Sequence, residues 1–113
     1  MIVYSLMVLT MKYNLSKTCH LFFSTLSTPS RLGILEALKK SPKNVSQLVD
    51  ILNQEQSMIS HNLKSLARCG FVFVERKGRE RVYSLNRETM EPMFKLIDKH
   101  MSKYCPGNNE CLG

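Results

Sequence analysis

A chain of 113 residues with 43% hydrophobic content is the size of one domain and can build a core, though a thin one. Sixteen Lys and Arg against nine Asp and Glu leave a formal charge of +7, which points to a polyanion, nucleic acid before an acidic membrane surface. The apolar start, Met1 to Met11, has no basic leading region or cleavage site and falls short of the ~20 residues that span a bilayer, so no membrane partner and a cytoplasmic protein with reduced thiols are expected.

Residues 1–14 read as an N-terminal extension. Leu15, Cys19, Phe22 and Leu26 then recur at helical spacing and predict a first helix over about 16–26. Thr28-Pro29 opens a second, with Thr28 as N-cap and Pro29 in the first helical position; Ile34, Leu35 and Leu38 share one face, and Ser41-Pro42 ends it. Asn44 with Gln47 three residues on is a capping box for a short third helix through Leu48, Val49 and Leu52, and Asn53 is its expected left-handed stop. A tight turn leads to a fourth helix over about 56–69, with Ile59, Leu63, Leu66 and Ala67 facing inward and Gly70 closing it. Phe71-Val72-Phe73-Val74 and Val82-Tyr83-Ser84-Leu85 predict a two-stranded hairpin across Arg76 to Glu80. Met90, Met93, Phe94, Ile97, Met101 and Tyr104 stripe a last helix that begins near Glu88. Residues 105–113 form an irregular, Cys-containing tail.

The expected fold class is mainly α with a small β-hairpin. Short helix, turn, second helix and hairpin are the order of a winged helix-turn-helix, here over 15–104, in which the second helix of the pair enters the major groove of duplex DNA. The outward face of that helix is Gln56, Ser57, Ser60, His61, Lys64 and Arg68. Gln suits adenine, Ser and His reach base edges or phosphates, and Lys64 and Arg68 suit phosphates. The hairpin tip adds Arg76, Lys77, Arg79 and Arg81, set among Glu75 and Glu80. Any surface helix is polar outside, and any edge hairpin gains from charge; the near absence of acid on the helix face favours nucleic acid. An enzyme is not expected. Ser60 and His61 are sequence neighbours that do not face each other on a helix, and no Gly-rich phosphate loop is present.

The stretch from Leu26 to Leu85 resembles the ArsR/SmtB family of repressors. The resemblance rests on Thr28-Pro29-Ser30-Arg31-Leu32-Gly33-Ile34-Leu35, on Ser57-Met58-Ile59-Ser60-His61-Asn62-Leu63-Lys64-Ser65-Leu66, and on the wing segments around Gly78. It implies a homodimer through the first and last helices, bound to a two-fold operator and released by a ligand. Gln54 and Glu55 depart from the family pattern before the recognition helix and imply a weaker cap there.

The family's metal sites transfer poorly. The third helix has no thiol. Positions matching the family's last-helix site are Arg87, Thr89, His100 and Lys103, of which His100 alone could be a ligand; it reads better as a helix C-terminal cation. The cysteines remain. Cys69 and Cys19 read as core residues, Cys69 as a buried stand-in for a small side chain. Cys105 and Cys111, in a polar tail, suit a soft ion, with Cys19 as the third donor: As(III) or Sb(III), or Zn, Cd or Pb. Cys105 and Cys111 are equally placed for a thiol-redox pair, and a regulator without a small ligand stays open.

Overall fold

The computed structural model describes residues 15–105; the expected extension 1–14 and residues 106–113 of the tail lie outside the described residues. Helix α1 (Leu15–Leu26) is followed by α2 (Pro29–Lys40), α3 (Val45–Leu52) and α4 (Gln56–Arg68). The local signals act where the sequence puts them. Thr28 accepts from the Arg31 N–H at 3.3 Å, ahead of Pro29. The Asn44 side chain accepts from the Gln47 N–H, and the Gln47 side chain accepts from the Asn44 N–H, both at 2.8 Å. Asn53 closes α3 in the left-handed region at φ 53°. The residue there must tolerate positive φ, and Asn does so better than any β-branched side chain.

Strands β2 (Val72–Lys77) and β3 (Glu80–Leu85) form the hairpin, and α5 (Arg87–Tyr104) ends the described fold. Two expectations are corrected here. The strands run to Lys77 and Glu80, so the connection is the two-residue turn Gly78-Arg79. Gly78 has φ 65° while Arg79 stays at negative φ, the pattern of a type II′ turn, which matches the twist of the flanking strands. The sheet also has three strands rather than two. A strand β1 (Lys43–Asn44) pairs antiparallel with β3, Lys43 opposite Tyr83 and Asn44 opposite Val82, giving the order β1-β3-β2. Two residues carry no alternation to read in advance, and Asn44 serves at once as strand partner and helix cap.

The core is where α2, α3, α4 and the sheet base meet. Ile34, Leu35 and Leu38 of α2, Leu48 of α3, and Ile59, Leu63 and Leu66 of α4 are fully buried, with Val72, Tyr83 and Leu85 beneath them. Ala67, expected inside, is only partly buried. The stripe on α5 is corrected in its second half. Met90 enters the core and Met93 and Phe94 pack against it, but Ile97, Met101 and Tyr104 face outward. Arg87 donates to the Lys39 carbonyl at 2.9 Å, and the Lys39 ammonium lies 5.2 Å above the Phe94 ring, so α5 is docked on the C-terminal end of α2.

The reciprocal bonds of the Asn44–Gln47 box make the start of α3 a local test of this fold. Asn44→Ala should cost about 1 kcal/mol. The urea midpoint should fall while the slope of the transition stays constant. An unchanged midpoint would mean that the box contributes nothing.

Candidate nucleic-acid interface

Helix α4 is two-sided. Ile59, Asn62, Leu63 and Leu66 are its buried face. At 3.6 residues per turn the opposite stripe is Ser57, His61, Lys64 and Arg68, and all four are exposed. Gln56 is exposed at the helix start, and Ser60 is half-buried on the flank. No Asp or Glu occurs within α4. Glu55, at its N-cap, makes no side-chain cap bond, in line with the weaker cap that its departure from the family pattern implied. The helix start is held otherwise. The Gln54 amide donates to the Ser30 hydroxyl at 3.0 Å, and that hydroxyl donates to the Met58 sulfur at 3.9 Å.

The wing is rooted in the core and charged at its tip. Val72 opposes Leu85 and Val74 opposes Tyr83, while the Asn86 amide clamps the base by donating to the Gly70 carbonyl at 2.8 Å. Further out, Arg76 stands directly opposite Arg81, and both are exposed, as are Lys77 and Arg79. Like charges opposite each other weaken a strand pair unless an anion lies between or above them.

Two residues that sequence reasoning passed over join this interface to the rest of the molecule. Asn62 is 8% exposed, and its side-chain oxygen accepts from Arg31 Nε at 3.1 Å. Arg31 Nη1 also donates to the Thr25 carbonyl at 3.1 Å. Thr25 lies in the last turn of α1, which has no basic residue of its own. Arg31 of α2 therefore supplies the cation that the carbonyl end of α1 lacks, and fixes the middle of α4 with the same group. The signal was legible: an Asn among Ile59, Leu63 and Leu66 must find a partner, since buried polar groups are almost always bonded.

The cysteines do not sit as expected. Cys69, the C-cap of α4, is exposed rather than buried, with its sulfur 3.6 Å from the Thr25 hydroxyl. Cys19 is exposed as well, not packed in the core. Among the described residues, helix α1 enters the core at its C-terminal end, through Leu26 and partly Phe22, and Cys19 lies outside that part of the stripe. Cys105, the C-cap of α5, is disulfide-bonded, and Cys111 lies outside the described residues. Among the described residues no three His, Cys, Asp or Glu side chains come together to hold a metal ion. The expected donor set includes Cys111 and so lies partly outside the described residues. His100 stacks on Tyr104 at 5.0 Å, and Arg87 is engaged with the Lys39 carbonyl and Glu91.

Comparison with known proteins gives a consistent picture. A family model described as bacterial regulatory protein, arsR family, matches residues 28–73. The HTH-type transcriptional regulator NmtR of Mycobacterium tuberculosis is 47% identical over 60 residues, which are 53% of this chain and 50% of NmtR. This chain therefore spans about half the length of that relative. The arsenical resistance operon repressor of Staphylococcus xylosus is 32% identical over 73 residues, 65% of this chain and 70% of the repressor. The crystal structure of M. tuberculosis Rv0081 superposes with a TM-score of 0.75 at 29% identity, covering 84% of this chain and 96% of that one.

The part-buried bond between Arg31 and Asn62 should be visible in stability. Asn62→Ala removes a bond to a charged donor and should cost about 1.5–3 kcal/mol in chemical denaturation. A loss below about 0.5 kcal/mol, the usual range of surface substitutions, would rule out a structural role for the bond.

Proposed function

The chain belongs to the arsR family of bacterial regulatory proteins, and we propose that it acts as a homodimeric repressor that binds operator DNA. The observation that carries this is the pairing of an exposed, acid-free stripe on α4 with a cationic wing tip in which Arg76 faces Arg81. The start of α4 enters the major groove, where Gln56, Ser57, Ser60 and His61 meet base edges. Lys64 and Arg68 lie further along toward the phosphates. Lys77, Arg79 and Arg81 of the wing engage the neighbouring backbone.

The dimer is supported by apolar surface left in water. Phe23 on α1 is 62% exposed and Leu96 on α5 is 66% exposed, with Leu21, Ile97, Met101 and Tyr104 beside them on the same two helices. Exposed apolar area gathered in this way marks a contact surface. Two copies joined through α1 and α5 would present two recognition helices to half-sites about 34 Å apart.

For the effector we propose thiol chemistry: a metalloid, As(III) or Sb(III), or a soft divalent ion such as Zn, Cd or Pb, taken by reduced Cys19, Cys105 and Cys111. The support is the softness of thiolate donors and the likeness to a repressor named for arsenical resistance. A second reading is thiol-redox regulation, favoured by the disulfide at Cys105. In that reading oxidation itself changes the end of α5. No helix among the described residues is long and apolar enough to cross a membrane.

Fluorescence anisotropy on a duplex from the region upstream of the coding sequence tests the DNA assignment. Lys77→Ala and Arg79→Ala should each weaken binding to all sequences and flatten the dependence of log K on log salt by about 1. An unchanged slope would remove the wing from the interface.

The effector is tested on the same complex, starting from reduced protein. Release by a few equivalents of arsenite, lost in Cys105→Ser, is the expected result. Release by diamide but not by arsenite would replace the metalloid with the redox reading.

A further inference from the structure

We propose that the cleft between α1 and the C-terminal half of α4 binds a small carboxylate with an apolar body, and that this ligand loosens the tie between the two helices. The cleft has a volume of about 390 Å³. That lies within the ~300–1,000 Å³ of small-molecule sites. Leu21, Phe22 and Phe71 line it with apolar surface, and Phe22 and Phe71 meet edge to face with ring centres 5.0 Å apart. Arg31 and Arg68 also line it, Cys69 and Thr25 stand beside them, and none of its lining residues is acidic. Two guanidinium groups over an aromatic wall, with no counter-charge, call for an anion attached to an apolar group.

The donors for that anion are available. Arg68 makes no hydrogen bond or ion pair with the described residues. Arg31 spends one N–H on Asn62 and one on the Thr25 carbonyl, out of the five that a guanidinium carries. A carboxylate takes a guanidinium through two parallel bonds, and such charge-assisted bonds are stronger than those to a neutral carbonyl or amide. A carboxylate in the cleft that turns the guanidinium to meet it through two parallel bonds draws Arg31 away from the end of α1 and the middle of α4. Those two helices carry the proposed dimer face and DNA face. A ligand that favours the loosened arrangement lowers affinity for DNA, and DNA lowers affinity for the ligand by the same factor. This site uses none of the proposed thiol donors. Its role as an effector site rests on the regulator reading, whereas binding in the cleft does not.

Cys69 supplies a built-in reporter, because it is an exposed residue that lines the cleft. The rates at which N-ethylmaleimide alkylates Cys69 and Cys19 are to be followed by peptide mass spectrometry on the reduced full chain, with benzoate as the probe and benzamide as its neutral match. Benzoate should slow the reaction at Cys69 and leave Cys19 unaffected, and benzamide should protect far less. Arg68→Gln should raise the benzoate concentration needed by about tenfold, the effect of losing one charged partner. Equal protection by benzamide, or no protection by benzoate, would overturn the site. A Cys69 unreactive before any benzoate is added would mean that a second copy of the chain covers the cleft, and would overturn it as well. Anisotropy on the upstream duplex separates the two layers of the argument. Benzoate that protects Cys69 yet leaves duplex affinity unchanged overturns the coupling to DNA. A reduced chain that binds no duplex overturns the regulator reading, while the protection result decides the cleft by itself.

Discussion

Helix α4 must hide one face and show the other, and the rest of the structure follows from how that is achieved. Ile59, Leu63 and Leu66 are fully buried against α2, α3 and the sheet. Each such side chain removed from water contributes about 1.5–3 kcal/mol, so the helix cannot rotate without losing several of these contacts together. The inward face fixes the outward one by helical geometry. Ser57, His61, Lys64 and Arg68 are exposed because Ile59, Leu63 and Leu66 are not. The core that stabilises the fold thereby aims the surface proposed to read DNA.

Burial alone leaves the helix free to tilt, and the polar anchors restrict that motion. The Gln54–Ser30–Met58 chain holds the first turn of α4 to the start of α2. Arg31 holds its middle through Asn62 and reaches α1 through the Thr25 carbonyl. One guanidinium thus joins the helix proposed to read DNA to one of the helices of the proposed dimer face. A part-buried charged bond of this kind is costly to break on one side only, because the partner is left unsatisfied. Its position also makes it the natural target of anything that binds between α1 and α4.

The wing works by a different constraint. Its base is apolar and continuous with the core through Val72, Tyr83 and Leu85, while its tip gathers cations that repel one another. Opposing Arg76 and Arg81 is unfavourable in the free protein, a cost that the phosphates of the proposed complex would offset. The short β1 steadies the other edge of β3, and through Asn44 it connects the wing to the capped start of α3.

Elements that rest on local chemistry could be read directly from the order of residues. The Thr28-Pro29 start, the Asn44–Gln47 box, the Asn53 stop and the inward triad of α4 depend on neighbours within four residues, and all stand where their spacing puts them. The outward residues of α4 and the charged wing were legible for the same reason, since helical and strand periods assign faces. Contacts between residues distant in the chain emerge from the packing of the elements and not from their local spacing. The pairing of Lys43 with Tyr83, the bond from Arg31 to Asn62 and the exposure of Cys19 and Cys69 depend on how α1 and the sheet meet the other helices. An apolar stripe states that a face prefers to be covered, not what covers it. On α1 and the far half of α5 nothing in the described chain does, because a fold this small has more apolar helix than core to receive it.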